Sequence, residues 1–131
     1  MSSIFTKIIK KEVFCYKIYE NNFCISFLDI HPIQIGHTLV VPKLEIDNLF
    51  SVPIEIYNQV MSTTYLIAQA IEKSIPCKKV SMVVLGMEVP HAHIHLIPIN
   101  KESDLNFNNT KITIKSQEMK KIMKKISNFI S

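Results

Sequence analysis

The chain has 131 residues, 47% of them hydrophobic and 20% charged, which is typical of one globular domain and excludes a disordered protein. All fifteen basic residues are lysines, so the guanidinium group that commonly binds phosphate in a bidentate way is absent. A phosphate site here must therefore use His, Lys, hydroxyl or backbone N–H groups. The net charge of +4 lies mostly in two lysine runs, which favours solvated surfaces over nucleic-acid binding.

The three cysteines indicate a reducing compartment. Cys15, Cys24 and Cys77 are odd in number and lack C-x-x-C spacing, which favours reduced thiols over disulfides or a zinc site. The first residues lack the apolar core of a signal peptide, and no apolar run is long enough to cross a bilayer. We expect a cytoplasmic protein without membrane contact, formed by one domain over residues 1–131 with its core at about 3–100.

The first third of the chain predicts a short helix and three strands. Residues 3–10 have helical apolar spacing, and residues 15–20 and 23–28 predict a hairpin that turns at Asn21 and Asn22. A further strand is expected at 37–41, because Pro42 ends it.

A long helix is expected in the middle of the chain, after a short helical turn at 45–50. It spans about 53–74, since Pro53 suits a first helical turn and Pro76 stops the helix. Its apolar side chains recur on one stripe, which predicts that the helix packs on the core: Ile56, Val60, Thr63, Ile67, Ile71 and Ile75.

The remaining elements complete an α+β fold. A buried strand is predicted at 80–85, a second strand at 91–99, a polar loop at 100–110 and an amphipathic C-terminal helix at 116–130. The lysine-rich face of that helix could contact RNA or an anionic membrane, but a docked helix with a solvated face is favoured. Hairpin connections predict an antiparallel five-stranded sheet with one long helix and a C-terminal helix.

The strand at 91–99 carries the residues most suited to chemistry. His91, His93 and His95 alternate with Ala92 and Ile94, and residues two apart on a strand share a face. One tetrahedral metal ion would reach two of the three imidazoles more easily than all three, and Glu88 and Asp29 are the plausible additional ligands. A neutral imidazole is also a good nucleophile toward phosphorus, with its neighbours orienting it and binding phosphoryl oxygens. The second interpretation fits the spacing better, and the first stays open.

The stretch H-A-H-I-H-L-I resembles the signature of the histidine triad (HIT) superfamily, His-φ-His-φ-His-φ-φ with φ apolar. Two further segments, IFTKII near the start and FLDIHPIQIGHTLVVPK at 27–43, resemble the nucleoside phosphoramidase (Hint-like) branch. Together these segments cover about the first three quarters of the chain in the expected order. The resemblance implies a homodimer whose sheets join across a two-fold axis, with the long helix at the interface.

The resemblance also implies a role for each matching residue. His93 would be the nucleophile, His95 would contact the α-phosphate, and His91 and His37 would form a hydrogen-bond relay behind His93. Asp29 would hold the ribose hydroxyls. The purine base would lie against apolar walls formed by Phe5, Ile8, Phe27 and Ile30.

Some positions depart from the family pattern. Where many members have Gly-Gln-Ser before the triad, this chain has Gly86, Met87 and Glu88, so the nucleotide-binding glycine is retained and a carboxylate replaces the serine that assists the leaving group. Glu88 is either a group that protonates the leaving amine or binds a cationic leaving group, or a solvent-facing turn residue. Ile99 stands where relatives often have arginine, and Ser2 and Ser3 cannot replace the N-terminal cysteines of zinc-binding members.

We therefore expect a hydrolase that cleaves the P–N bond of a purine nucleoside 5′-phosphoramidate through a nucleotidyl-histidine intermediate, with no metal or other cofactor. The ligand would be a nucleotide of the AMP or GMP type. One alternative is a dinucleoside polyphosphate hydrolase or nucleotidyl transferase of the same superfamily. Another is a nucleotide-binding protein with little turnover.

Overall fold

A computed structural model describes residues 2–130 and has the predicted α+β architecture, with five antiparallel strands in the order β1-β2-β3-β5-β4. Two short 3-10 turns, Leu49–Ser51 and Glu102–Leu105, lie between these elements. The helices and strands, in chain order, are α1 (Ile4–Ile9), β1 (Lys17–Glu20), β2 (Cys24–Leu28), β3 (Thr38–Pro42), α2 (Ile54–Ser74), β4 (Lys79–Val83), β5 (Ile94–Ile99) and α3 (Ser116–Ser127).

One face of the sheet is covered by α2 and α3. The stripe predicted on the long helix is confirmed, because Val60, Ile67 and Ile71 are fully buried. They belong to the main hydrophobic core, to which the sheet contributes Val40 and Ile94 and α3 contributes Met119, Ile122 and Ile126. Burial of this apolar surface is the main driving force that docks both helices.

The opposite face of the sheet is covered in part by α1. Phe5 and Ile8 of this helix form a second core cluster with four strand residues, Ile25, Phe27, Leu39 and Val41. Leu39 is the ladder partner of His95, and side chains of directly opposed residues lie on the same face. The histidine strand therefore presents His95 on the α1 side of the sheet, away from the main core.

The boundaries of the histidine strand differ from the prediction. β5 begins at Ile94 and not at His91, because the backbone N–H groups of the preceding residues bond elsewhere. The N–H of His91 donates to Val89 O at 2.8 Å, and that of Ala92 donates to Ile46 O at 2.7 Å. His91 and His93 thus precede the regular ladder, while Ala92 is still buried in the main core as expected.

The strand expected to be buried at 80–85 is an edge strand. β4 covers Lys79–Val83 and pairs with β5 alone, at the end of the sheet order. Met82 is 53% exposed and Leu85 is 51% exposed, so the prediction of burial is wrong. An apolar composition does not distinguish a central strand from an edge strand whose outer side lies open.

Smaller differences concern helix ends and turns. α3 ends at Ser127, so the amphipathic pattern that continues to residue 130 outlasts the helix. The turn expected at 45–50 is reduced to a single 3-10 turn, capped by the Asn48 side chain. Both glycines lie where φ is positive, at 91° for Gly36 and 72° for Gly86, a conformation that glycine adopts without a side-chain clash.

All three cysteines are free, and Cys24 is fully buried. Within residues 2–130, none of the helices combines the length and apolar character needed to span a lipid bilayer.

Candidate active site

A cavity of about 540 Å³ opens on the α1 side of the sheet, beside the histidine strand. It contains nearly every residue that the sequence predicted for a nucleotide site, although these residues come from four separate parts of the chain. The predicted residues in its wall are Phe5, Ile8, Phe27, Asp29, Ile30, His37, Gly86, Glu88, His93 and His95. Phe5, Ile8 and Phe27 belong to the buried core cluster that α1 forms with the sheet. They make one end of the cavity apolar.

His93 is held with one ring nitrogen committed to the backbone. Its Nδ1 lies 2.7 Å from the carbonyl oxygen of His91, and the ring is only 6% exposed. Because a carbonyl oxygen only accepts, Nδ1 carries the proton and donates it. Burial lowers the pKa of His93, so the ring is neutral near pH 7. Its Nε2 then has a free lone pair at the cavity, which is the arrangement that a nucleophile needs.

His37 and His95 form a second ordered pair. The backbone N–H of Ile33 donates to Nδ1 of His37 at 3.2 Å, which places the proton of a neutral His37 on Nε2. That Nε2 lies 2.9 Å from Nδ1 of His95 and donates to it. His95 therefore carries its own proton on Nε2. This chain of bonds makes His95 a hydrogen-bond donor toward the cavity.

Burial controls the charge of this pair. Desolvation lowers the pKa of His37 to about 4, against the opposing effect of the nearby Asp29 carboxylate. Desolvation and the neighbouring His37 lower the pKa of His95 to about 3. Both rings are neutral near pH 7, as the directional bond between them requires.

Asp29 follows directly after β2 and lies beside His37 in the cavity wall. Its Oδ1 accepts the backbone N–H of His31 at 2.8 Å, and its Oδ2 is 3.5 Å from Nε2 of His37. The carboxylate is half-buried, and it lines the cavity. Its position at the cavity wall suits the acceptance of hydroxyl hydrogen bonds from a ligand.

His91 lies outside the cavity wall, in a network with the N-terminal helix. Its Nε2 donates to Pro42 O at 2.7 Å, and its Nδ1 accepts from Oγ of Ser3 at 2.7 Å. Ser3 is also the N-cap of α1, because its Oγ accepts the N–H of Thr6 at 3.0 Å. The Glu45 carboxylate accepts from both the Ser3 N–H and the Thr6 hydroxyl. The side chain of His91 thus ties α1 to the segment before β5.

The relay expected from both His91 and His37 to His93 has a different form. His91 contacts His93 through its carbonyl oxygen and not through its ring, while the His37 ring contacts His95. The Phe5 ring packs against both His91 and His93, with centroids 5.8 and 4.9 Å away. The histidine spacing alone does not reveal these partners, because they belong to the backbone and to distant residues.

The rim of the cavity includes the glycine that matches the family pattern and the two residues after it that depart from the pattern. Gly86, Met87 and Glu88 lie in the connection between β4 and β5 and line the cavity. Met87 is 92% exposed and Glu88 is also exposed. A Cβ on Gly86 would approach Cε1 of His93 at 4.0 Å, so its positive φ, and not crowding, explains the glycine.

Among the wall residues that sequence reasoning missed are two that follow β5, Phe107 in the predicted polar loop at 100–110 and Lys111 just after it. Phe107 packs edge-on against His95, with ring centroids 5.1 Å apart, and Lys111 lies beside it. The Nζ of Lys111 donates to Phe107 O at 3.0 Å. The one sequence signal for this part of the wall was an aromatic residue, Phe107, in a run of Asn, Ser and Asp. A single residue gives no periodicity, so it did not predict a position in the fold.

Three groups at the site could also hold a metal ion. Asp29, His37 and His95 offer ligand atoms that all lie within 4.8 Å of one another. These are not the three residues of the triad, so the metal hypothesis survives with a different ligand set. A metal ion bound by both rings would have to displace the proton that Nε2 of His37 donates to Nδ1 of His95.

A family model described as "HIT domain" matches residues 10–102. An uncharacterized HIT-like protein of Borreliella burgdorferi is 32% identical over an alignment of 132 positions that covers 95% of each chain. Adenosine 5'-monophosphoramidase hnt1 of Schizosaccharomyces pombe is 30% identical over 99% of each chain. Adenylylsulfatase HINT3 of Arabidopsis thaliana is 36% identical over an alignment of 106 positions that covers 77% of this chain. The chain spans about half (53%) of the plant protein.

The fold agrees with these matches. A crystal structure of a Hit-like protein from Bartonella henselae superposes with a TM-score of 0.87 at 29% identity, covering 98% of this chain and 96% of that one. The match of the family model extends over more than half of the residues and includes the histidine strand. The chain therefore belongs to the HIT domain family.

Proposed function

We propose that this protein hydrolyses purine nucleoside 5′-phosphoramidates, cleaving the P–N bond and releasing AMP or GMP. The observation that carries the proposal is the His93 ring, neutral and fixed by the His91 carbonyl with its Nε2 free at the cavity. The relative named adenosine 5'-monophosphoramidase, similar over the whole length of this chain, supports the same substrate class.

The reaction follows in two displacements. Nε2 of His93 attacks the phosphorus atom, the P–N bond breaks, and the leaving amine takes up a proton from water or from Glu88. Water then attacks the nucleotidyl-histidine, which releases the nucleoside monophosphate and restores the neutral ring. His95 donates from Nε2 to a phosphoryl oxygen as negative charge develops, and its orientation is fixed by His37.

The cavity offers separate places for the parts of such a substrate. Phe5, Ile8, Phe27 and Ile30 would bind the purine, and Asp29 would accept the ribose hydroxyls. Glu88 lines the exposed rim of the cavity, where it could meet the leaving amine. It would protonate that amine or bind a cationic leaving group.

A second candidate reaction uses the same intermediate with a different leaving group. The Arabidopsis thaliana relative is named adenylylsulfatase, and attack by His93 on an adenylyl sulfate would break a P–O bond instead of a P–N bond. Dinucleoside polyphosphates are a third substrate class, since their α-phosphorus presents the same electrophile.

We further propose a homodimer. The edge strand β4 and the free side of α2 carry exposed apolar side chains, among them Met82 at 53% and Tyr65 at 69%. An uncovered apolar surface beside an open sheet edge is a common mark of an interface. Sedimentation of wild type and Met82→Glu tests the dimer. The cytoplasmic location stays a prediction.

One assay series tests the function. Turnover of an adenosine phosphoramidate is compared with that of adenylyl sulfate and a diadenosine polyphosphate, for wild type and His93→Asn, with and without EDTA. We expect phosphoramidate turnover that requires His93 and is unaffected by EDTA. Loss of turnover with EDTA would revive the metal hypothesis, and nucleotide binding without any turnover would favour a binding protein.

A further inference from the structure

The segment that follows β5 folds back over the His95 side of the cavity. The Phe107 ring lies 5.1 Å from that of His95 and 6.2 Å from that of His37, measured between centroids. The N–H of Ile112 donates to Pro32 O at 2.8 Å, which ties the segment to the turn before His37. This part of the chain lies beyond the residues matched by the family model. It is nevertheless part of the site.

Lys111 is placed by this packing. Its Nζ is 5.6 Å from the centroid of the Phe107 ring and donates to the Phe107 carbonyl oxygen at 3.0 Å. Among the described residues it is the one lysine in the cavity wall, and the chain has no arginine. Its charge is close enough to contribute to the lowered pKa values of His37 and His95.

Apart from Lys111, the cavity residues discussed so far supply no positive charge to balance a bound phosphate. A bound nucleotide brings an anionic phosphate, while the wall already holds the carboxylates of Asp29 and Glu88. His37 and His95 each accept a hydrogen bond at Nδ1, so each ring carries one proton and supplies no positive charge. A phosphate in this setting needs a cation nearby.

We propose that Lys111 is the phosphate-binding cation of this site, held beside the α-phosphate by Phe107. The proposal rests on the proposed nucleotide function and adds to it the residue that substitutes for the missing arginine. The ammonium group of Lys111 releases the Phe107 carbonyl and binds a nonbridging phosphoryl oxygen on the His95 side. It thereby distinguishes a nucleotide from the corresponding nucleoside.

The test compares AMP and adenosine as ligands of the full-length protein by isothermal titration calorimetry. Wild type, Lys111→Gln and Lys111→Arg are measured, with Lys115→Gln as a matched control. Lys115 is an exposed lysine just before α3 that loses the same charge outside the cavity wall. We expect Lys111→Gln to weaken AMP binding about three- to tenfold, while adenosine binding is unchanged. Lys111→Arg retains AMP binding, and Lys115→Gln matches wild type.

Each other outcome has a distinct meaning. Unchanged AMP affinity in Lys111→Gln would overturn the assignment and leave the nucleotide site intact. An equal loss for AMP and adenosine would also overturn it, because it would assign Lys111 to the packing of Phe107. If wild type bound neither ligand, the proposed function would fail together with the role of Lys111.

Discussion

Nε2 of His37 lies 2.9 Å from Nδ1 of His95, and this bond sets the protonation of the other His95 nitrogen, Nε2, at the cavity. The direction of the bond originates in the backbone N–H of Ile33, which occupies Nδ1 of His37. A main-chain donor thus determines, through two imidazoles, that His95 presents an N–H group to the cavity. The proposed reaction requires this tautomer, because a lone pair on Nε2 of His95 would repel the phosphoryl oxygens of the substrate.

Replacing His37 should therefore impair catalysis more than binding. We expect His37→Phe to lower kcat about 10- to 100-fold with little change in AMP affinity, since His95 loses the donor that fixes its tautomer. His37→Gln, whose amide can donate to Nδ1 of His95, should recover part of the rate. Steady-state kinetics and AMP titration of both variants check this. Full kcat in His37→Phe would show that the tautomer is set by other means.

Acid should destabilise the protein through the buried imidazoles. The pKa of His37 is about 4 in the folded state and about 6.5 when exposed, so the unfolded chain binds more protons between these values. The stabilisation is complete above about pH 6.5 and is lost as the pH falls toward 4. Urea unfolding midpoints from pH 8 to pH 4.5 should fall less steeply in His37→Phe than in wild type. Parallel curves would contradict the burial of a neutral His37.

Ser3 should stabilise the fold through the hydrogen bonds that its hydroxyl makes with α1 and with His91. Its hydroxyl caps α1 and occupies Nδ1 of the fully buried His91. We expect Ser3→Ala to lower the free energy of unfolding by about 1–3 kcal/mol, because a helix cap and a buried hydrogen bond are lost together. Ser3→Thr should restore most of it. The exposed neighbour Ser2 offers a control, because the unfolding curve of Ser2→Ala should match that of wild type. A Ser3→Ala variant as stable as wild type would refute the role of the network.

Glu88 should influence the choice of leaving group. If its carboxylate interacts with the departing amine, Glu88→Gln lowers kcat/KM for a lysyl phosphoramidate about three- to tenfold more than for a neutral alkylamine phosphoramidate. Glu102→Gln removes an exposed carboxylate outside the cavity wall and serves as the matched control. An unchanged ratio between the two substrates would identify Glu88 as a solvent-facing turn residue.

The sequence predicted those features that depend on local periodicity. The alternation of His93 and His95 with Ile94 and Leu96 predicted one polar and one buried face, and both apolar residues are fully buried. The helical stripe predicted α2 in the same way. These patterns are informative because the side chains point in alternating or helical directions set by the backbone.

Other features depend on contacts between distant segments. Nothing near His91 in the sequence indicates that its ring would bond to Ser3, 88 residues away, while its carbonyl bonds to His93. Lys111 and Phe107 lie in a polar segment without periodicity, and tertiary packing alone brings them to the site. The edge position of β4 was likewise determined by sheet order and not by its apolar composition.

The central claim is that His93 forms a covalent nucleotidyl intermediate. Rapid acid-free quenching during turnover of an adenosine phosphoramidate, followed by mass spectrometry of the intact protein and its peptides, tests this most directly. We predict a mass increase of one adenylyl group located on His93, absent in His93→Asn, whose turnover falls at least about 1,000-fold. Wild-type turnover in His93→Asn, or an adduct on another residue, would contradict the mechanism.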